Sequence, residues 1–116
     1  DTEQILDLLK DPDFIENKRQ LAKRYQTWGV NNDIQFVCEP ENTKSNYWLN
    51  TLITKNKDEQ LAMLEYTNNN GVMTRPIWRP MHKLPINSDC FSTNLNNTEW
   101  LAERLINVPS SVILNE

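Results

Sequence analysis

Three prolines fall within residues 74–85, which read TRPIWRPMHKLP, and they constrain this chain more than any other stretch. A proline fixes its own φ, donates no backbone hydrogen bond and pushes the preceding residue towards extended geometry. The sequence therefore predicts a stiff, extended, non-helical ribbon, here called the proline segment. It also carries two arginines, one tryptophan and the only histidine of the chain.

The proline segment supplies the candidate binding residues, namely Arg75, Trp78, Arg79, His82 and Lys83. Their cationic groups could hold a carboxylate or phosphate beside the imidazole, while the indole would meet a flat or apolar face of the same ligand. The alternative is structural: the two arginines pair with surface carboxylates and the tryptophan packs in the core. Both interpretations stay open at the level of the sequence.

Composition argues against several classes of function. A net charge of −4 and a pI near 5.0 disfavour binding to nucleic acid or to a membrane surface. No apolar run approaches the roughly 20 residues that cross a bilayer, and no signal-peptide pattern opens the chain. The two cysteines, Cys38 and Cys90, predict reduced thiols in a cytoplasmic protein.

No set of catalytic groups or metal ligands is recognisable in the sequence. One histidine and two distant cysteines cannot build a metal site by spacing. Cys38 falls in a predicted buried strand, where cysteine is usually inert. Two glycines leave no glycine-rich loop for a phosphate, and 116 residues predict a single domain over 1–116.

Hydrophobic periodicity alternates between helical and extended patterns. Helices are predicted over residues 2–28 with a break at 11–13, from 58 to the turn at 68–71, and over 99–104. Strands are predicted over 34–39, 46–55, 72–77 and 105–108. Asp13 and Gly29 are expected to cap the second helix, the glycine in a left-handed conformation. The result is an α+β fold, with helices packed on one face of a small, mainly antiparallel sheet.

Within these elements, aromatic and aliphatic side chains are assigned to the core. Tyr47 and Trp48 are expected to pack in the sheet. Leu61 is expected on the buried face of its helix, which Asp58 would cap, and Trp100 on the buried face of the last helix.

Several motifs occur in an order that points to a family. They are Lys18-Arg19 with Ala22 and Tyr25, Ser45-Asn46-Tyr47-Trp48-Leu49, the stretch from Gly71 to Pro85, and Ile106-Asn107-Val108-Pro109-Ser110-Ser111. From about Phe14 onward the chain resembles the C-terminal small domain of the sugar-nucleotide aminotransferases, the DegT/DnrJ/EryC1/StrS family of pyridoxal-phosphate enzymes. It is most similar to the branch that aminates keto nucleotide-sugars on the way to legionaminic-type nonulosonic acids.

The resemblance implies the C-terminal domain of a fold-type I aminotransferase that moves an amino group from glutamate to a keto nucleotide-sugar. The large domain, with pyridoxal phosphate and the Schiff-base lysine, would lie outside this chain. The chain alone would then bind no cofactor and hold no catalytic residue. Its five candidate residues would line the substrate side of the cleft in a homodimer. The alternative, from another class, is a stand-alone module that docks a partner protein through Trp78 and the prolines.

Overall fold

The structure, a computed structural model, describes residues 12–112. The part of the first predicted helix before residue 12 lies outside the described residues. Within the described range the chain forms three α-helices, four β-strands and two short 3-10 helices. They are α1 (Pro12–Asn31), β1 (Gln35–Phe36), β2 (Asn50–Ile53), α2 (Lys57–Asn69), β3 (Arg75–Pro76), the 3-10 helices Met81–Lys83 and Pro85–Asn87, α3 (Asn96–Ala102) and β4 (Leu105–Val108). The strand order is β1-β2-β4-β3, which confirms the predicted α+β class.

The chain divides into two compact units. The first comprises Asp1–Asn50 and Pro109–Glu116, and the second comprises Thr51–Val108. Each unit is described by itself below.

In the first unit, α1 packs closely against β1. Ala22 is buried at 1% exposure, and the Tyr25 ring stacks on Phe36 with centroids 5.4 Å apart. Gly29 is buried inside α1, where a Cβ would lie 2.4 Å from the carbonyl oxygen of Ile34. Gly29 thus lies within α1, where its lack of a Cβ permits the close approach of Ile34 and Phe36. The prediction that it caps the helix in a left-handed conformation is therefore wrong. The left-handed residue after the helix is Asp33, with φ 55°.

The strands on either side of residues 37–49 are shorter than predicted. Tyr47 has φ 45°, outside the extended region, so the second strand begins only at Asn50. Tyr47 is buried before the strand starts, and Trp48 is 65% exposed, so their predicted packing in the sheet is wrong. Cys38 lies beyond the short β1 and is exposed, contrary to its assignment to a buried strand.

The core of the second unit centres on β4, whose predicted bounds are confirmed. Ile106 is fully buried and Leu52 is 4% exposed. β3 pairs with β4 antiparallel, with Pro76 opposite Ile106. A proline is tolerated there because β3 is an edge strand.

In both helices of the second unit, α2 and α3, the buried residues differ from the prediction, and in α2 the cap differs too. α2 is capped by Asn56 rather than Asp58, since Asn56 Oδ1 accepts from the Glu59 backbone N–H at 2.9 Å. Leu61 is 53% exposed, and the buried residue of α2 is Gln60. Trp100 is also half exposed, and the Arg104 guanidinium covers its ring at 4.5 Å from the centroid.

Candidate functional site

The proline segment is anchored at its first residue. Thr74 is 3% exposed, and its hydroxyl lies 2.6 Å from the Thr67 hydroxyl of α2. Asn68 Nδ2 donates to both the carbonyl oxygen and the hydroxyl of Thr74, each at 3.1 Å. These bonds fix the start of the segment to α2, and β3 then pairs with β4.

Beyond Pro80 the segment turns instead of staying extended. The Lys83 backbone N–H donates to the Pro80 carbonyl at 2.9 Å and closes the first 3-10 helix. Asn87 Nδ2 donates to the Met81 carbonyl at 2.8 Å and ties the second 3-10 helix to the first. The predicted extended ribbon is therefore wrong after residue 80. The physical reason is that proline constrains its own φ and the residue before it, but not the residues that follow: Pro80 stays extended as the cap of the first 3-10 helix, and Pro85 starts the second.

The first 3-10 helix brings His82 and Lys83 to one carboxylate on α3. His82 Nε2 lies 3.0 Å from Glu99 Oε1, and Lys83 Nζ lies 3.4 Å from the same oxygen. The hydrogen bond from His82, and then that from Lys83, lowers the pKa of the Glu99 carboxyl below its usual value. Glu99 is therefore a carboxylate at neutral pH and accepts from both neighbours.

Buried hydrogen bonds hold the end of α3, and with it Glu99, in place. Gln60 Nε2 donates to the carbonyl oxygens of Ala102 at 3.1 Å and Leu105 at 2.9 Å. The Thr54 backbone N–H donates to the Arg104 carbonyl at 2.9 Å. A buried amide that satisfies two carbonyls restrains the backbone on both sides, so α3 presents Glu99 from a fixed support.

His82 lines a hollow of about 540 Å³ in the second unit. The other lining residues come from the 3-10 helices, the following loop and the start of α3: Met81, Asn87, Cys90, Phe91, Ser92, Thr93, Leu95 and Thr98. Phe91 is 93% exposed, so the hollow has an accessible aromatic wall. Such a mixture of apolar faces with hydroxyl, amide and imidazole groups is typical of a ligand site.

The structure brings together only two of the five predicted site residues. His82 and Lys83 share Glu99, whereas Arg75, Trp78 and Arg79 are exposed and do not line the hollow. Trp78 is 66% exposed, so the alternative in which it packs in the core is wrong.

Glu99 was not predicted as a site residue. Its one sequence signal is its position in the first turn of the last helix, and that position does not indicate a bond to a histidine seventeen residues earlier.

The chemistry of the described residues does not fit a complete pyridoxal-phosphate site. Such a site needs a lysine for the Schiff base and an acidic or basic partner for the pyridine nitrogen. No lysine is among the residues that line the hollow, and Lys83 lies 3.4 Å from Glu99 Oε1. Over residues 12–112 no group of three or more metal-binding side chains is found, and no helix in that range is long and apolar enough to span a membrane.

Solved structures of aminotransferases share this fold. The chain aligns over 96% of its length with PseC of Helicobacter pylori, an aminotransferase involved in the biosynthesis of pseudoaminic acid, with a TM-score of 0.81 and 17% identity, covering 31% of that chain. It aligns likewise over 96% with the aminotransferase TlmJ of Streptoalloteichus hindustanus, with a TM-score of 0.77 and 21% identity, covering 30% of that chain. At these identities the likeness concerns the fold.

Sequence similarity extends the likeness to a curated relative. The chain is 29% identical over 98 residues to a GDP-perosamine synthase of Escherichia coli O157:H7, a match that covers 84% of this chain and 26% of the synthase. The chain thus spans about a quarter to a third of the length of these relatives. The sequence profile of the DegT/DnrJ/EryC1/StrS aminotransferase family matches residues 5–116, and the chain therefore belongs to this family.

Proposed function

We propose that this chain is the C-terminal small domain of a pyridoxal-phosphate-dependent aminotransferase. The complete enzyme would transfer an amino group from glutamate to a keto nucleotide-sugar, in the branch that leads to legionaminic-type sugars. Family membership over residues 5–116 supports the reaction class. The small share of each relative that the chain covers supports a single domain of a longer polypeptide.

The observation that carries the site proposal is the His82–Glu99 pair at the wall of the hollow. A histidine bonded to a carboxylate and open to a lined hollow can bind and orient a substrate group. Arg75 and Arg79, exposed on the same segment, would meet the nucleotide phosphates, and Trp78 would meet an apolar or flat part of the substrate. This surface would form the substrate-side wall of the active site.

Pyridoxal phosphate, bound by the rest of the enzyme, would supply the electron sink for the amino transfer. This chain would hold no cofactor by itself. The complete enzyme would be a cytoplasmic homodimer.

The test uses the complete polypeptide with pyridoxal phosphate, glutamate and a panel of keto nucleotide-sugars. Glutamate-dependent formation of an amino sugar is expected. After borohydride reduction, mass spectrometry should place the cofactor-modified lysine outside residues 1–116. Stoichiometric modification of a lysine within these residues, or the absence of amino transfer across the panel, would contradict the proposal.

A second candidate, an interaction module, is favoured by the exposure of apolar side chains. Trp78, Met81, Ile86 and Phe91 are 66–93% exposed, and all lie on the proline segment or shortly after it. The reading frame that encodes this chain distinguishes the two proposals. A frame that encodes the chain without a cofactor-binding domain would favour a module that docks a partner protein.

A further inference from the structure

The residues that line the hollow carry neutral polar groups rather than cations. They include the hydroxyls of Ser92, Thr93 and Thr98, the amide of Asn87 and the imidazole of His82, but no arginine or lysine. A phosphate group is usually bound by cations or by clustered backbone N–H groups. Hydroxyl and amide groups beside apolar faces match a neutral, hydroxyl-bearing ring better than they match a phosphate.

The bond to Glu99 determines which nitrogen of His82 such a ring can meet. A carboxylate accepts from Nε2–H, so Nε2 carries the proton in both the neutral and the charged imidazole. The structure records no partner for Nδ1 among the described residues. In the neutral ring Nδ1 is therefore the acceptor, and a hydroxyl is the group that can donate to it.

We propose that Glu99 is a positioning residue that holds His82 by Nε2, so that Nδ1 accepts a hydrogen bond from the sugar ring of a nucleotide-sugar in this hollow. The diphosphate would lie outside the hollow. This inference rests on the proposed function and specifies which part of the substrate the hollow binds.

The test is calorimetric binding to the complete protein, with three matched pairs of probes. These are UDP with UDP-N-acetylglucosamine, GDP with GDP-mannose, and dTDP with dTDP-glucose. Glu99→Ala should lower the affinity for the sugar-bearing probe about tenfold and leave the affinity for the bare nucleotide unchanged. Glu99→Gln should lose less of the affinity for the sugar-bearing probe, because its amide oxygen can still accept from Nε2–H of His82. Glu103→Ala, on the residue that follows α3, is the matched control and should change neither probe.

The outcomes separate this inference from the proposed function. The inference is overturned if Glu99→Ala weakens binding of the nucleotide and of the nucleotide-sugar equally, or if it changes neither. If the enzyme transfers amino groups and still shows either of these results, the proposed function stands and only the inference fails. If none of the three pairs binds the wild-type protein and that protein also lacks amino transfer, both the inference and the proposed function are contradicted.

Discussion

Glu39 in the first unit and Glu99 in the second each accept from cationic neighbours, but they differ in what remains available around them. Glu39 receives two parallel bonds from Arg19, at 2.7 and 2.9 Å, and a third from the Ser45 backbone N–H at 2.6 Å. Glu99 binds one histidine nitrogen and one ammonium group, and that histidine faces a hollow. The Arg19–Glu39 pair, here called the closed cluster, also lines a hollow, of about 300 Å³, but its charged groups are bonded to each other. In the His82–Glu99 pair, here called the open cluster, Nδ1 of His82 has no recorded partner among the described residues.

The motif residues of the first unit follow the pattern of Glu39. Lys18 Nζ donates to the Ser110 carbonyl at 2.5 Å, Tyr25 Oη donates to the Pro109 carbonyl at 3.0 Å, and Ser110 Oγ donates to the Trp48 carbonyl at 2.7 Å. These family motifs thus bind one another and hold α1 to residues 109–110. The difference teaches that recognisable motifs have a structural role in the first unit, whereas in the second unit a motif places His82 beside a hollow.

The largest effect is expected where the first unit is most tightly packed. In Gly29→Ala, the new Cβ would lie 2.4 Å from the Ile34 carbonyl oxygen and 2.8 Å from the Phe36 ring, so the backbone must shift. The free energy of unfolding should fall by about 1–3 kcal/mol, the usual cost of overpacking. Urea unfolding of the complete protein measures this free energy of unfolding. Thr27→Ala, on an exposed position of α1, is the control and should change it by less than about 0.5 kcal/mol. Equal stability of the two variants would contradict close packing at Gly29.

His82→Ala tests the open cluster and Glu39→Gln the closed one. We expect His82→Ala to lower kcat/KM for the nucleotide-sugar about tenfold, which corresponds to about 1.4 kcal/mol of binding, while the midpoint of thermal unfolding stays unchanged. Glu39→Gln should lower the unfolding midpoint and leave kcat/KM unchanged. Steady-state kinetics and thermal unfolding measure both. If His82→Ala lowers stability without changing the kinetics, His82 has a packing role and the comparison fails.

The closed cluster should also respond to acid in a defined direction. The bonds from Arg19, and then from Ser45, lower the pKa of Glu39 from 4.5 to about 2. Because the folded-state pKa is depressed, the stabilisation by Glu39 is fully present above about 4.5 and is lost as pH falls towards 2. The difference in unfolding free energy between wild type and Glu39→Gln should stay constant from pH 7 to 5 and shrink below that. A difference that grows on acidification would overturn this assignment.

Lys83→Met should have the smallest effect. Its ammonium group lies 3.4 Å from Glu99, and the two side chains are 44% and 47% exposed, so water screens the pair. We expect KM for the nucleotide-sugar to change at most about twofold and the unfolding midpoint to stay the same. A loss as large as that of His82→Ala would mean that Lys83 contacts the substrate directly.

The sequence predicted the class of the fold and most of its order, but it misplaced several boundaries and faces. The bounds of β4 were predicted correctly because Leu105, Ile106 and Val108 favour a strand and Pro109 ends it. The strand predicted over 46–55 begins late because Tyr47 adopts a left-handed conformation, supported by its hydroxyl, which accepts from Gln26 Nε2 and from the Glu39 N–H. Such support comes from residues far along the chain, and local propensity does not contain it.

For the candidate site, the sequence located the proline segment and included His82 among its five candidate residues. It could not reveal Glu99, because the pairing of a 3-10 helix with α3 depends on where Gln60 and Thr54 hold the end of that helix. It also could not separate His82, which lines a hollow, from Arg79, which is exposed three residues earlier.

By itself, the sequence determined the family, the α+β class and the proline segment with its candidate residues, since these depend on residue order and on backbone limits such as those of proline. Only the tertiary structure decided that the segment bends after Pro80 and that one carboxylate on α3 holds both His82 and Lys83. The physical reason is that hydrogen bonds between residues distant in sequence select one of several conformations that each local stretch permits.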